Sequence, residues 1–282
     1  MTEVIDGREI AKVIKEEIKE FIALRKEGNF KLPKISSILV GEDEGSIYYI
    51  NSQEKIALSL GCNFEKILLK EEISEEELIE KIESLNEDKE VSGIILQLPL
   101  PKNFNEKKIV NIINPEKDID CLTYVNQGKL FAGEGDIIPC TPNSIVTLLE
   151  KSNIDVEGKN VVVIGRSNIV GKPVAQLLLK KNATVTICHS KTKNLKEITK
   201  KGDIIVVAIG RPKFLSADFI KEDSIIIDVG TSSYEGKITG DVDFENVNGK
   251  VKMITKVPGG VGALTTTLLI KNACEALVRY ED

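Results

Sequence analysis

Residues 160–173 read Asn-Val-Val-Val-Ile-Gly-Arg-Ser-Asn-Ile-Val-Gly-Lys-Pro and decide the fold of this chain. An apolar, β-branched run ends at Gly165, and a short polar turn leads into an amphipathic stretch that begins at Val170. A strand, a tight turn and a helix in this order direct backbone N–H groups and the positive end of a helix toward a phosphate group. The stretch therefore predicts a nucleotide-binding α/β domain.

Strands and helices are predicted to alternate on both sides of this stretch. The predicted strands are residues 35–40, 64–69, 91–98, 161–164, 184–187, 204–208 and 224–229. The predicted helices include residues 7–27 behind Asp6, 46–60 before Gly61, 74–85 with a capping box, 141–149 capped by Thr141, and 265–280. Residues 116–140 are predicted to be irregular. Short apolar strands that alternate with helices are typical of a parallel sheet covered on both faces.

The length of 282 residues favours two domains over one. We predict an α/β fold in which residues 1–140, joined by the C-terminal helix 268–282, form one α/β domain. Residues 141–267 are predicted to form a Rossmann-like domain with a parallel sheet.

Composition excludes several classes of function. The net charge is −6 and no basic block is present, so we expect no nucleic-acid partner. No stretch approaches the roughly 20 apolar residues that span a bilayer, and the charged start is not a signal peptide. Five scattered cysteines and one histidine supply no metal site, and we interpret the cysteines as reduced, packed thiols of a cytoplasmic protein.

The glycine turn alone is a weak nucleotide signal, because only Gly165 falls in register with the Gly-x-Gly-x-x-Gly fingerprint. An ordinary turn between a strand and a helix remains the alternative. At the end of the next strand, NAD-selective folds place an acid, whereas this chain has Ser190, with Arg166 and Lys191 supplying positive charge. This combination favours NADP over NAD. The single histidine, His189, is interpreted as a wall or hydrogen-bonding residue of that site rather than a catalytic one.

A second glycine cluster, Pro-Gly-Gly-Val-Gly at residues 258–262, lies directly before the final helix. Glycines at this density let the backbone approach a ligand closely. A plain turn is the other interpretation.

Three pieces of the first half have only ordinary explanations when taken singly. They are residues 46–55 with Tyr49, Gln-Leu-Pro-Leu-Pro at 97–101, and Pro-Glu-Lys-Asp-Ile-Asp at 115–120. A tyrosine can belong to the core, a glutamine can end a strand, and acids can be solvated in a loop. Together with the two glycine segments, and in this order, they resemble the methylenetetrahydrofolate dehydrogenase/methenyltetrahydrofolate cyclohydrolase family over nearly the whole chain.

The resemblance implies two α/β domains with a folate cleft between them, and a homodimer. It implies that Tyr49 lies against the pterin, that Asp120 hydrogen-bonds the pterin, and that Gln97 orders the reacting centre. Further substrate contacts would come from Leu98, Pro99, Pro258, Gly259 and Gly260. NADP would be held by Gly165, Arg166, Ser167, Val170, Gly171, Pro173, Ser190 and Thr231.

One departure from the family pattern bears on catalysis. Bifunctional members place a lysine four residues after the tyrosine, and here that position is Gln53. Lys55 lies two residues further on, about 200° round the helix, and is not expected to substitute. Smaller departures are Cys121 where glycine usually follows the second aspartate, Ala263-Leu264, and Thr231-Ser232 near the nicotinamide.

The departure separates the two reactions of the family. Hydride loss from the one-carbon bridge is driven by the adjacent nitrogen lone pair and needs no proton acceptor. Hydrolysis of the methenyl product needs a group that exchanges protons near neutral pH, and glutamine does not titrate. We therefore predict NADP-dependent dehydrogenation in one-carbon metabolism with weak or absent cyclohydrolase activity.

Several alternatives stay open. Another group or a water relay could restore hydrolysis, which would give the full bifunctional enzyme. A catalytically silent folate- or nucleotide-binding regulator is disfavoured because Tyr49, Gln97 and Asp120 are all retained. An amino-acid or shikimate-type dehydrogenase is a further alternative.

Overall fold

The computed structural model describes residues 2–281. Its strands, numbered along the chain, are β1 (Glu3–Ile5), β2 (Lys34–Val40), β3 (Asn63–Leu69), β4 (Gly93–Leu96), β5 (Asn160–Ile164), β6 (Thr184–Cys188), β7 (Ile204–Val207), β8 (Ile225–Asp228), β9 (Ser232–Tyr234), β10 (Lys237–Thr239) and β11 (Met253–Thr255). The α-helices are α1 (Gly7–Glu27), α2 (Glu44–Leu60), α3 (Glu75–Glu87), α4 (Glu106–Val110), α5 (Tyr124–Ala132), α6 (Cys140–Lys151), α7 (Gly171–Lys180), α8 (Leu195–Thr199), α9 (Phe244–Val247) and α10 (Gly262–Glu281). A short 3-10 turn covers Ala217–Phe219. The predicted end of the last helix at Asp282 lies outside the described residues.

The chain divides into two compact units. The large-sheet unit is Met1–Lys12 with Pro139–Thr265, and the small-sheet unit is Val13–Ile138 with Thr266–Asp282. Over the described residues, the first contains a six-stranded sheet in the order β1-β11-β8-β7-β5-β6, and the second a three-stranded sheet in the order β3-β2-β4. All neighbours in both sheets are parallel. The predicted α/β class with a Rossmann-like parallel sheet is confirmed.

The central strands of both sheets are buried because their sequences are almost entirely apolar. Strands β4, β7 and β8 are buried at every residue, whereas β6 at the edge is mostly exposed. Helices such as α3, with Leu78, Ile82 and Leu85 on one face, cover the small sheet. Both sheets therefore present their strand ends, rather than their faces, as places where polar side chains can meet a ligand.

Several local signals act as predicted. The side chain of Asp6 accepts a hydrogen bond from Arg8 N at the start of α1. Ser74 and Glu77 form the capping box of α3, and Gly61 ends α2 in the left-handed conformation with a φ of 88°. No helix of residues 2–281 is long and apolar enough to cross a membrane.

Three local predictions were wrong. The helix predicted behind Thr141 begins at Cys140, with Pro139 in the cap position and no side-chain cap, so Thr141 lies inside its first turn. The segment predicted to be irregular up to residue 140 contains α5, whose cap is Thr123. The strand predicted at residues 91–98 covers only Gly93–Leu96, although Gln97 N still donates to Ile38 O of β2.

Candidate active site

A buried pair of side-chain amides lies in the small-sheet unit. Gln97 follows β4, and its Nε2 donates to Oε1 of Gln53 at 2.7 Å and to Oγ of Ser37 at 2.9 Å. Both glutamines are only 8% exposed. The structure thus brings together Gln97, predicted to order the reacting centre, and Gln53, which takes the place of the family's lysine. Ser37 on β2 joins them as a partner that the sequence analysis did not identify.

The helical spacing of α2 places Gln53 inside. The helix begins behind Asp43, whose carboxylate accepts from Ser46 N, and one turn after another it buries Ser46, Ile50, Gln53 and Ala57. Tyr49, one turn before Gln53, is 54% exposed and is free of the core. Lys55 is exposed, so its side chain lies on a different side of the helix from Gln53, as predicted.

The segment after Gln97 contains the predicted substrate residues Leu98 and Pro99. Their peptide bond is cis. Leu98 is half-buried and Pro99 is exposed, while Gln97 N donates to Ile38 O of β2 at 2.9 Å. The backbone is thereby anchored to the central strand directly before these two residues.

The two aspartates of residues 117–121 have different environments. Asp118 is 1% exposed, and its carboxylate accepts from Leu122 N, Thr123 N and Asn126 Nδ2 at 2.8–2.9 Å. The ordinary explanation of a solvated loop acid does not apply to Asp118, because three protein N–H groups bind its carboxylate. Asp120 is half-buried.

Cys121 follows Asp120 with a φ of 59°. That conformation costs a residue with a Cβ about 1–2 kcal/mol, which explains why glycine is expected there. The thiol is buried, and desolvation, followed by the nearby Asp118 and Asp120 carboxylates, raises its pKa. Cys121 is therefore a packed thiol rather than a nucleophile.

The predicted nucleotide turn of the large-sheet unit has no room for side chains at two glycines. A Cβ on Gly165, whose φ is 132°, would lie 2.3 Å from Ala208 O, and a Cβ on Gly171 would lie 2.3 Å from Gly165 O. Oγ of Ser167 accepts from Val170 N and Gly171 N at 3.2 and 3.3 Å. The turn is therefore a tight backbone cradle, and Pro173 follows in the first turn of α7, where a missing N–H costs little.

Polar groups surround the turn at the adjacent strand end. Gly165 N donates to Cys188 O at 2.9 Å, which places the end of β6 beside it. Arg166, Ser190 and Lys191 are exposed there. The ring nitrogen Nδ1 of His189 accepts from Lys191 N at 3.1 Å, so the histidine shapes this loop. The cradle and its exposed cation and hydroxyl fit a dinucleotide with a phosphate on its ribose.

Two buried carboxylates at the neighbouring strand ends were missed by the sequence analysis. Asp228 accepts from Gly230 N, Asp241 N and Val242 N at 2.9–3.0 Å. These bonds close the base of the hairpin that begins with the exposed Thr231. Burial raises the pKa of Asp228 to about 7, although the three N–H donors act in the opposite direction.

Asp241 holds the loop after β7 in the same manner. Its carboxylate accepts from Ile209 N, Gly210 N and Arg211 N at 2.6–3.0 Å. The only sequence signal for either aspartate is an adjacent glycine. A Cβ on Gly240 would lie 2.0 Å from Oδ2 of Asp228, and one on Gly230 would lie 2.4 Å from Cγ of Asp241.

The second glycine cluster packs against the start of α1. Gly7 N donates to Gly259 O at 2.9 Å, and a Cβ on Gly7 would lie 2.1 Å from Gly260 O. Gly259 has a φ of 111° and the peptide bond before Pro258 is cis. Pro258 is exposed whereas Gly259 and Gly260 are buried, so this is a packed and specific turn rather than a plain one.

No group of three or more histidine, cysteine, aspartate or glutamate side chains in residues 2–281 is arranged to hold a metal ion. The five cysteines are all buried.

Comparison with known proteins identifies both halves of the chain. The family model for the tetrahydrofolate dehydrogenase/cyclohydrolase catalytic domain matches residues 5–120. The model for the NAD(P)-binding domain of the same family matches residues 139–281.

Individual relatives match over the full length. The chain is 64% identical over 282 residues, covering 100% of both chains, to the "Bifunctional protein FolD" of Clostridium botulinum. The crystal structure of the bifunctional FolD of Campylobacter jejuni has a TM-score of 0.96 at 40% identity, with 99% of each chain covered. The Trypanosoma brucei enzyme, complexed with NADP cofactor and inhibitor, has a TM-score of 0.93 at 36% identity, with 99% of this chain and 98% of that chain covered.

The names of these relatives fit the bifunctional alternative better than a dehydrogenase without hydrolase activity. The family resemblance seen in the sequence motifs is confirmed by the two domain matches and by the full-length identities. This chain belongs to the tetrahydrofolate dehydrogenase/cyclohydrolase family.

Proposed function

We propose that this protein oxidises 5,10-methylenetetrahydrofolate to 5,10-methenyltetrahydrofolate with NADP. Family membership over the whole chain supports the reaction class. The observation that carries the proposal at the level of side chains is the buried Gln53–Gln97 amide pair on the small-sheet unit. We infer that this unit binds the folate and that the large-sheet unit binds NADP.

The residues of the small-sheet unit orient the folate. The exposed ring of Tyr49 offers a flat apolar surface for the pterin, and the Asp120 carboxylate can accept hydrogen bonds from pterin N–H groups. Gln97, fixed by Ser37 and Gln53, orders the one-carbon bridge. Positioning of this kind supplies much of the rate in a reaction between two bound rings.

NADP, when bound, supplies the hydride acceptor. The Gly165–Gly171 cradle would hold its pyrophosphate, and Arg166 and Ser190 would bind the ribose phosphate. As the C–H bond of the bridge breaks, the lone pair of the neighbouring folate nitrogen forms the new C–N π bond. The product is a methenyl cation, and no protein group has to remove a proton.

Hydrolysis of that cation has a different requirement. Water must add to the methenyl carbon and lose a proton, and a folate nitrogen must gain one as the ring opens. Neither amide of the Gln53–Gln97 pair exchanges protons near neutral pH, so we propose that cyclohydrolase activity is weak or absent. The second candidate is the full bifunctional enzyme, which also forms 10-formyltetrahydrofolate, and the names of the relatives favour it.

A paired assay on the purified protein tests both parts. Reduction of NADP, and of NAD in parallel, is followed with methylenetetrahydrofolate, and hydrolysis of methenyltetrahydrofolate is followed after subtraction of the spontaneous rate. We expect NADP reduction with a preference over NAD, and hydrolysis close to the spontaneous rate. Enzymatic hydrolysis as fast as NADP reduction would establish the bifunctional candidate, and failure to reduce either cofactor would refute the dehydrogenase.

A homodimer is part of the proposal by family analogy, and analytical ultracentrifugation tests it.

A further inference from the structure

Residues 117–119, directly before Asp120, are all buried. Lys117 and Ile119 are 0% exposed and Asp118 is 1% exposed. Of the Lys-Asp-x-Asp motif, only the last acid is expected to touch the pterin. The burial of a lysine and an aspartate beside it therefore requires a separate explanation, because buried charges are costly unless they are paired or hydrogen-bonded.

The ammonium group of Lys117 is bound by the end of α3. Its Nζ donates to Leu85 O at 3.0 Å, to Asn86 O at 2.7 Å and to Asp88 O at 2.7 Å. The last carbonyls of a helix have no partners within it, and a cation is favoured there. Helix α3 has no basic residue of its own in its last turn, so Lys117 supplies this charge from a distant part of the sequence.

Asp118 ties the same segment to the start of α5. Its carboxylate accepts from the backbone of Thr123, which caps α5, and from the amide of Asn126 within that helix. The three N–H groups that it binds satisfy the acceptor oxygens of a carboxylate that is only 1% exposed. Lys117 and Asp118 thus attach one short segment to two helices in opposite directions along the chain.

The backbone of the segment is paired with β4. Ile94 N donates to Lys117 O at 2.7 Å, and Ile94 and Asp118 form a parallel bridge. Gly93 makes room for this approach, since a Cβ there would lie 2.8 Å from Cδ1 of Ile119.

This pairing relates Asp120 to Gln97. In a parallel pair both chains run in the same direction. Asp120 lies two residues beyond the bridge on one chain, and Gln97 lies three residues beyond it on the other. The chain turns directly after the bridge, since Cys121 N donates to Asp118 O at 3.2 Å. The bridge between Ile94 and Asp118 therefore ties the turn that carries Asp120 to β4, the strand that Gln97 follows.

We propose that Lys117 and Asp118 are positioning residues that fix the turn carrying Asp120 relative to Gln97, and so determine how tightly the pterin is bound. The inference rests on the proposed function, because it takes Asp120 to be a pterin ligand. Without the ammonium group the segment loses its own bonds to α3, while the bonds of Asn86 to Ile112 and Asn114, earlier in the loop, remain. The Asp120 carboxylate then moves relative to Gln97. The residues proposed for NADP belong to the large-sheet unit and are not attached to this segment by any of these bonds.

A double-mutant cycle tests the proposal. The variants are Lys117→Met, Asp120→Asn and the double variant, with Lys108→Met as the matched control. The exposed Lys108 also bonds to α3, but through the half-buried Glu75 at the other end of the helix. The KM values for methylenetetrahydrofolate and NADP, kcat and the thermal midpoint are measured for each.

We expect Lys117→Met to raise the KM for the folate about tenfold and to leave the KM for NADP within about twofold. The double variant should be no worse than Asp120→Asn alone, since the lysine acts through the aspartate. Lys108→Met should change neither KM. Additive losses in the cycle, or equal increases in both KM values, would show a general structural role and overturn the proposal.

Asp118→Asn serves if Lys117→Met does not fold, because it keeps the shape of the side chain and changes only one acceptor into a donor. The same separation of the two KM values is expected, and its absence overturns the proposal. Calorimetric binding of tetrahydrofolate distinguishes failure of the proposed dehydrogenase reaction from failure of the positioning role. A wild type that binds tetrahydrofolate but reduces no cofactor refutes the dehydrogenase, while the positioning role is then judged from the affinities of the variants. A wild type that does not bind it refutes both.

Discussion

Nε2 of Gln97 donates to Oε1 of Gln53 at 2.7 Å, and the same nitrogen donates to Oγ of Ser37 at 2.9 Å. Both N–H groups of the Gln97 amide are used in this way. A lysine at position 53 has only donors, so it would face the nitrogen of Gln97 with a like group. The amide would have to turn and present its oxygen, and the Ser37 hydroxyl permits this because it can donate as well as accept.

Gln53→Lys should therefore introduce hydrolysis of methenyltetrahydrofolate. A buried lysine has a lowered pKa and can exchange protons near neutral pH, and general acid–base catalysis is worth about 10²–10⁴-fold. The hydrolysis assay described above measures the gain. Lys55→Met is the control, because Lys55 is exposed on another side of α2, and it should leave both reactions unchanged. No gain with Gln53→Lys would mean that the missing lysine does not limit hydrolysis.

Gly171→Ala should damage both stability and NADP binding. The new Cβ would meet three backbone atoms, Gly165 O, Gly165 C and Arg166 N, at 2.3–2.9 Å, and overpacking of this kind costs about 1–3 kcal/mol. Gly128→Ala in α5 is the matched control. Nothing lies within 4 Å of a Cβ there, so it should stabilise the helix by about 0.5–1 kcal/mol. Urea unfolding measures the change in stability, and the KM for NADP measures the change in binding. If Gly171→Ala and Gly128→Ala changed both quantities equally, the Gly165–Gly171 turn would not be the proposed tight NADP-binding cradle.

Arg166→Ala should raise the KM for NADP without a matching change for NAD. A charge-assisted hydrogen bond to the ribose phosphate is worth about 1.5–3 kcal/mol, or about 10–150-fold, and NAD lacks that phosphate. Ser190→Asp should likewise raise the KM for NADP and not the KM for NAD, because the new carboxylate would repel the phosphate. Lys180→Ala, which removes a charge at the far end of α7, is the control. If Arg166→Ala raised the KM values for NADP and NAD equally, Arg166 would not bind the ribose phosphate.

Asp228 should make the protein less stable as the pH rises toward neutrality. Burial raises its pKa to about 7 from the ordinary value of 3.8. Between these values the folded protein keeps a proton that the unfolded chain has released, so the free energy of unfolding falls with rising pH. Between about pH 5 and about pH 8 the wild type should lose up to about 3 kcal/mol relative to Asp228→Asn, which does not titrate. Urea unfolding at both pH values measures this difference, and a constant difference would show that Asp228 stays ionised throughout.

Much of the local structure could be predicted because its causes are local. The capping box of α3 and the glycine that ends α2 act through neighbouring residues, so their sequence signals are sufficient. The absence of a lysine at position 53 could also be recognised, because the position is defined by one turn of the same helix. The prediction for residues 116–140 was wrong because the local signal there is weak. Helix α5 has only nine residues, which is too short for a clear helical period, and a single threonine caps it.

The charged residues inside the structure could not be predicted because their partners are distant. Lys117 is stabilised by carbonyls about 30 residues away in the sequence, and no pattern near Lys117 indicates them. Asp228 and Asp241 bind backbone N–H groups of loops, which leave no trace in residue type except the adjacent glycines. Tertiary geometry decides whether a charged side chain is buried, whereas residue type alone predicts that lysine and aspartate are exposed.

Strand β1 has a consequence for biosynthesis. Glu3 to Ile5 pair with Met253 to Thr255, so β1 can pair only after all the chain between the two strands has been synthesised. Until β11 has been made, β1 has no strand to pair with, and Val4 and Ile5 lack their neighbours in the sheet. Contacts between such distant segments slow folding and prolong the exposure of unpaired strands. Pairing of β1 is therefore a late step in the formation of this sheet.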